Sequence, residues 1–235
     1  MSVSEVDAQR QYHTDAADRY DEMRGADADE DYRGLDRLSD IIGQQQMTPI
    51  LEIVAVPGRG LPYLKNCHDI RDVGVEPVAA QREKDCGKGL SREELIDGNA
   101  LILALQDDGV DFGCAFGALH HIKDHRRVVS KTCWVAKTGI FSSGSHTFGE
   151  GSAVDRARKP TISVLELWQS FNLGMARGKG CNHFQGDRMF YSHSVFGEVP
   201  VVRKTFPALR SVTMTGSTGP NLYRQPPHIT LFAGQ

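Results

Sequence analysis

No apolar run in this 235-residue sequence approaches the roughly 18 residues that suggest a membrane span. The longer ones, Ile50 to Val56 (ILEIVAV) and Ala100 to Leu105 (ALILAL), stop far short, so no membrane partner is expected. Charge of one sign is also missing. With 27 basic and 30 acidic residues the formal net charge is −3 and the pI near 6.3, which leaves no overall electrostatic footprint for nucleic acid or an anionic surface. The balance points to a small-molecule or protein partner. The five cysteines (Cys67, Cys86, Cys114, Cys133, Cys181) are odd in number and form no CxxC pair, so neither a disulfide framework nor a structural zinc site is signalled. The polar, acidic beginning, MSVSEVDAQRQYHTDAADRYDE, lacks the basic region and apolar core of a signal peptide and the arginine-rich character of a transit peptide. A cytoplasmic protein is the expectation.

The composition, 40% hydrophobic and 24% charged, is that of a globular chain, and the length suits one sizeable domain with room for an insertion. Glycine is in surplus, 24 of 235 residues against an average near 7%. Residues 1–34 are rich in Asp, Glu, Arg and Tyr and read as an N-terminal cap, with a short helix around Ala16 to Met23. From Leu35 the pattern changes. Leu35, Leu38, Ile41 and Ile42 recur at helical spacing before a strand over Ile50 to Val56. LPYLKN then opens a helix with Pro62 in its first turn, and a short strand ends at Glu76. Val110 to Phe116 reads as a buried strand, Asp124 to Ala136 as a helix and Gly139 to Ser143 as a strand. Alternating strands and helices predict a doubly wound, mostly parallel α/β sheet. Arg210 to Thr215 and His228 to Ala233 look like a closing hairpin, and the long stretch before them, about 145–209, reads as an insertion in a domain spanning 35–235.

Open α/β sheets bind ligands beyond the carboxyl ends of their strands. Gly58 and Gly60 follow the first strand, where glycine lets a backbone approach a ligand and a helix start offers its amides. Glu76 ends the second strand, placed to accept hydrogen bonds from ribose hydroxyls. Asn99, in Gly98-Asn99-Ala100, can meet an adenine edge through its amide, and the fourth strand runs into Phe116-Gly117-Ala118-Leu119-His120-His121.

In this order the residues resemble the class I S-adenosylmethionine-dependent methyltransferases of small-molecule type. LEIVAVPGRG (Leu51 to Gly60) stands where that family commonly has LEIGAGTGRG, VGVEP holds the acidic residue after the second strand, GNA stands for GDA, and DFGCAFGALHH is similar to DVVCAFGVLHH. The resemblance implies a seven-stranded Rossmann-like sheet with an antiparallel last strand and S-adenosylmethionine as cofactor. It implies cofactor contacts from Tyr12, Tyr20, Glu52, Gly58, Gly60, Glu76, Asn99, Ala100, Phe116 and Gly117. Val54 and Val56 stand where glycines are usual. Valine disfavours positive φ and adds two methyl groups, so weakened cofactor binding is predicted.

Methyl transfer relies on alignment and exclusion of water, and a base is needed only if the acceptor must lose a proton. His120 and His121 stand where such a base could reach, although positioning or helix-capping at the cofactor rim is favoured over proton transfer. No metal is expected, because His121 and His125 have the spacing of a chelating pair but no third ligand. His183, Tyr191 and His193, in the insertion, are candidates for lining the acceptor pocket or for forming the insertion's own small core. The expected activity is methyl transfer to a small molecule. Two other classes remain: a pseudo-methyltransferase kept as a binding or scaffolding module, and a nicotinamide-dependent oxidoreductase, disfavoured because GxGxxG is absent.

Overall fold

Ile50–Ile53 forms the central strand β1, all four residues buried, and its side chains alternate between two cores. Leu51 and Ile53 point into one, Ile50 into the other. The same alternation holds in β4 (Val110–Phe116) from Phe112 on, where Phe112, Cys114 and Phe116 feed the second core and Ala115 the first; Val110, before a register shift, also feeds the first. A strand buried on both faces needs helices on both sides. The computed structural model describes residues 5–19, 30–54, 60–103, 105–145, 193–213 and 228–234, with isolated positions between 154 and 167 and Tyr191.

Helix α1 (Glu5–Ala16) continues into a 3-10 turn at Ala17–Arg19. Of the helix expected around Ala16 to Met23, Ala16 ends α1 and Ala17–Arg19 form the 3-10 turn, while residues 20–23 lie outside the described residues. Among the described positions α1 buries Gln9 and Ala16, and the turn buries Ala17, a face too weakly apolar to register as periodicity. Helix α2 (Glu30–Gln45) places Leu35, Leu38 and Ile42 in the second core, as their spacing predicts. Helix α3 (Gly60–Cys67) follows β1, with Pro62 in its first turn, and leads to β2 (Asp72–Val75). Helix α4 (Ala79–Gly87) and a capping-boxed 3-10 turn (Arg92–Glu94) precede β3 (Leu95–Ile96), a two-residue strand with no hydrophobic run to announce it. After β4 come a 3-10 turn (Leu119–His121) and helix α5 (His125–Val135), whose Val128, Val129 and Cys133 cover the first core. Strand β5 (Ala136–Ser145) is longer than the five residues expected. A 3-10 turn (Val195–Glu198) and short helix α6 (Val199–Val202) lead to β6 (Ala208–Thr213) and β7 (His228–Gly234).

The strand order is β3-β2-β1-β4-β5-β7-β6. β1 pairs in parallel with β2, Ile50 opposite Asp72, and with β4, Ile50 opposite Phe112. β7 runs antiparallel to both β5 and β6, so the expected hairpin and the antiparallel last strand are both present. The order reverses between β1 and β4, which makes the carboxyl ends of these two strands the place for a ligand. Among the described residues no helix is long and apolar enough to cross a membrane.

Candidate functional site

Beyond the carboxyl ends of β1, β2, β3 and β4 lies a cavity of about 320 Å³, within the range that holds small ligands and cofactors. Val54, immediately after β1, Glu76, immediately after β2, and Asn99 and Ala100, past β3, contribute to its wall. His121, past β4, and Tyr191 contribute from the other side.

Glu76 is 4% exposed, and its carboxyl accepts a hydrogen bond from the Val78 amide at 2.8 Å. Burial, opposed by that amide and reinforced by Asp85, pushes its pKa up to about 8. Arg82 ties this corner together: it donates to the Glu76 carbonyl at 2.6 Å and pairs with the Asp97 carboxylate at 2.9 Å. The end of β2 is thus fastened to the loop that carries Asn99. The Asn99 side-chain oxygen accepts from the Leu101 amide at 2.9 Å, an Asx turn that fixes the side chain and leaves one of the oxygen's two lone pairs for a ligand.

Glu52 and Gly60 stand behind the cavity, and neither contributes to its wall. Glu52, 3% exposed, accepts from the Leu61 amide at 3.0 Å at the start of α3, and burial, with help from Asp85, raises its pKa to about 8. Gly117 takes φ +56°, a left-handed turn that suits glycine, and donates to the Ser143 carbonyl at 2.8 Å. Phe116 is in the second core, its ring 5.6 Å from Phe141. Val54 has φ +55°. The backbone here demands the conformation that glycine adopts readily, and a β-branched residue occupies it all the same.

The two histidines at the end of β4 part company. His121 is in the cavity wall, its ring 5.3 Å from that of His13 on α1, with its Nδ1 3.4 Å from Gln9 Nε2. His120 is 6% exposed behind it, ring centroids 4.0 Å apart, and its carbonyl accepts from the Tyr191 amide at 2.9 Å. Tyr191 shares the wall, whereas His193 is buried in an imidazole–carboxyl contact with Glu198 at 2.6 Å, the His125 ring standing perpendicular to it at 4.9 Å. Tyr12 is half-buried on α1, its ring edge-on to His13. Tyr20, Val56, Gly58 and His183 lie outside the described residues. Among the described residues no group of three His, Cys, Asp or Glu side chains is arranged to hold a metal.

Sequence reasoning missed the wall that α1 provides through Gln9, Arg10 and His13, and it missed Gln81 and Arg82 on α4. His13 is adjacent to Tyr12 in YHTDAADRYDE, but nothing in the sequence folds that segment back over β4. Gln81 and Arg82 had a usable signal: they occupy the first helical turns after an acidic strand end.

Solved structures with this topology place the architecture. The magnesium protoporphyrin IX methyltransferase of Synechocystis PCC 6803, with bound S-adenosylmethionine, superposes with a TM-score of 0.64 at 9% identity, over 100% of this chain and 99% of that one. The chain has the class I methyltransferase fold. An S-adenosylmethionine-dependent methyltransferase from Mesorhizobium loti shares this methyltransferase fold at 13% identity and TM-score 0.53, over 86% of this chain and 100% of that one. Haemonchus contortus phosphoethanolamine N-methyltransferase 2, complexed with phosphomonomethylethanolamine and S-adenosylhomocysteine, matches at 14% identity and TM-score 0.59 over 99% of this chain and 60% of that chain. No family model matches the sequence, and no curated protein does.

Proposed function

We propose that the protein is an S-adenosylmethionine-dependent methyltransferase acting on a small-molecule acceptor. The observation that carries this reading is the Glu76 carboxyl in the wall of a cavity at the reversal of strand order, beside Asn99 and Ala100. The residues present suit a nucleoside-bearing cofactor: Glu76 for ribose hydroxyls and the second lone pair of Asn99 for an adenine amine. When bound, S-adenosylmethionine supplies a methyl group on a sulfonium, an electrophile that needs no metal. The chain's own task is to orient the acceptor and exclude water. His121, the histidine in the wall, is the residue to take a proton from an acceptor that must lose one, and His120 supports it from behind. Tyr191 borders the acceptor side, and His193 anchors the segment that carries it.

Titration calorimetry with S-adenosylhomocysteine tests the reading. Saturation by S-adenosylhomocysteine, weakened about tenfold or more in Glu76→Ala, is the expected result; tighter binding of NAD would overturn it in favour of an oxidoreductase.

One observation favours a second reading. The Val54 side chain stands in the wall at a position held at φ +55°, where it crowds the approach of a cofactor to the backbone. A pseudo-methyltransferase serving as a binding module predicts no saturation even at millimolar S-adenosylhomocysteine.

A further inference from the structure

Helix α4 is unusual in what it buries: its two buried side chains, Gln81 and Asp85, are both polar. Gln81 is 2% exposed and lines the cavity five residues beyond Glu76. Its Nε2 donates to the His13 carbonyl of α1 at 3.1 Å. That bond settles the orientation of the carboxamide, because only the amino end can donate to a carbonyl. The remaining end, Oε1, is buried and has no hydrogen-bond partner among the described residues. A buried amide oxygen in that state is costly unless something donates to it. In this wall the Asn99 oxygen and the Glu76 carboxyl each already accept from a backbone amide, whereas Gln81 Oε1 accepts nothing from the described residues and is open to a donor from the cavity side.

We propose that Gln81 is a specificity-determining residue, its Oε1 accepting a hydrogen bond from the nucleoside part of the ligand while its Nε2 holds α1 against the cavity. This rests on the methyltransferase reading. The donor is an N–H or O–H of the nucleoside, either the adenine amino group or a ribose hydroxyl. Because one carboxamide serves both contacts, ligand recognition and the seating of α1 are joined at a single side chain. His13, whose carbonyl receives the Nε2 bond, also packs its ring on His121 in the same wall.

The test compares the unmodified protein with Gln81→Met, which keeps the bulk of the side chain and removes both polar ends. Each is titrated with S-adenosylhomocysteine, with its inosyl counterpart lacking the amino group, and with its 2′-deoxy counterpart. Gln81→Met weakens S-adenosylhomocysteine about tenfold and leaves unchanged the binding of whichever analogue lacks the donor that Gln81 reads. Equal losses on all three ligands, or no loss on any, overturn the proposal while the methyltransferase reading stands. Failure of the unmodified protein to bind S-adenosylhomocysteine overturns both. Should Gln81→Met not fold, a crystal structure of the unmodified protein with S-adenosylhomocysteine decides: Oε1 within hydrogen-bond distance of a nucleoside donor supports the proposal, and Oε1 meeting water alone overturns it.

Discussion

Glu52 and Gly60 leave no room between them: a Cβ on Gly60 would lie 2.1 Å from Glu52 Oε1 and 2.4 Å from Oε2. The carboxyl cannot swing aside cheaply, because it is buried and accepts from the Leu61 amide. Glycine is needed here for close approach at the start of α3. Gly60→Ala should destabilise the protein by about 1–3 kcal/mol, the usual cost of overpacking. Urea unfolding measures it, and Glu52→Ala in the same chain should recover part of the loss, since the two sites are in contact.

Glu52 also makes stability depend on pH. Its folded pKa is raised from 4.5 to about 8, so between these values the unfolded chain gives up a proton that the folded chain keeps. The folded state then binds more protons, and stability falls as pH rises through that window. Glu76 adds to the same trend over the same window, and Asp72, raised from 3.8 to about 7 chiefly by burial, over a lower one. Glu52→Gln removes one contribution. The variant should match the unmodified protein near pH 4.5 and exceed it at pH 8 by at least about 1 kcal/mol, roughly 2–4 °C in Tm. Equal pH slopes for the two proteins would refute this.

Val54→Gly should relieve a left-handed valine, a conformation that costs on the order of 1–3 kcal/mol, against a smaller entropic loss from the added glycine. A net gain of about 1 kcal/mol in stability is expected, with tighter binding of S-adenosylhomocysteine as the two methyl groups leave the wall. Thermal melts and calorimetry on the same preparation check both. Tighter binding without stabilisation would mean that crowding alone, and not backbone strain, is the obstacle.

His193 and Glu198 form a buried pair, 1% and 0% exposed. Removing one partner leaves the other buried in a worse state, so Glu198→Ala should cost about 3 kcal/mol. The double variant His193→Ala/Glu198→Ala should cost less than the sum of the two single changes. Additive losses would mean that the two side chains do not depend on each other.

Much of this was written in hydrophobic spacing. Leu35, Leu38 and Ile42 announced α2, and VDFGCAF announced β4, because each buries enough apolar surface to impose its period on the sequence. β3 left no trace, since two residues carry no period, and α1 left little, since its buried positions among the described residues are Gln9 and Ala16. At the site, Glu76, Asn99 and Ala100 were legible because residues that follow strands in an open sheet face its ligand crevice. Gln81 was passed over although its place in the first helical turns after an acidic strand end was a signal, because a polar residue on a helix reads as solvent-facing until a carbonyl from another element is seen to meet it. Position 54 was half legible. A glycine-like backbone was expected, but only the structure shows the valine adopting φ +55° instead of deflecting the chain.

The placement of β7 between β5 and β6 governs the order in which the sheet can be completed. β6 precedes β7 in the chain, yet among the described residues the hydrogen bonds it makes in the sheet are all to β7. During synthesis, strands β1 to β5 can zip together as each emerges, whereas β6 emerges with an edge and no neighbour to take it. It must wait until residues 228–234 are made, and for that interval a nascent chain carries an unpaired strand that is open to mispairing. A strand made after its neighbours yet placed in the interior of the sheet, not at its rim, makes the pairing of β7 the step that protects β6 from other copies of the chain.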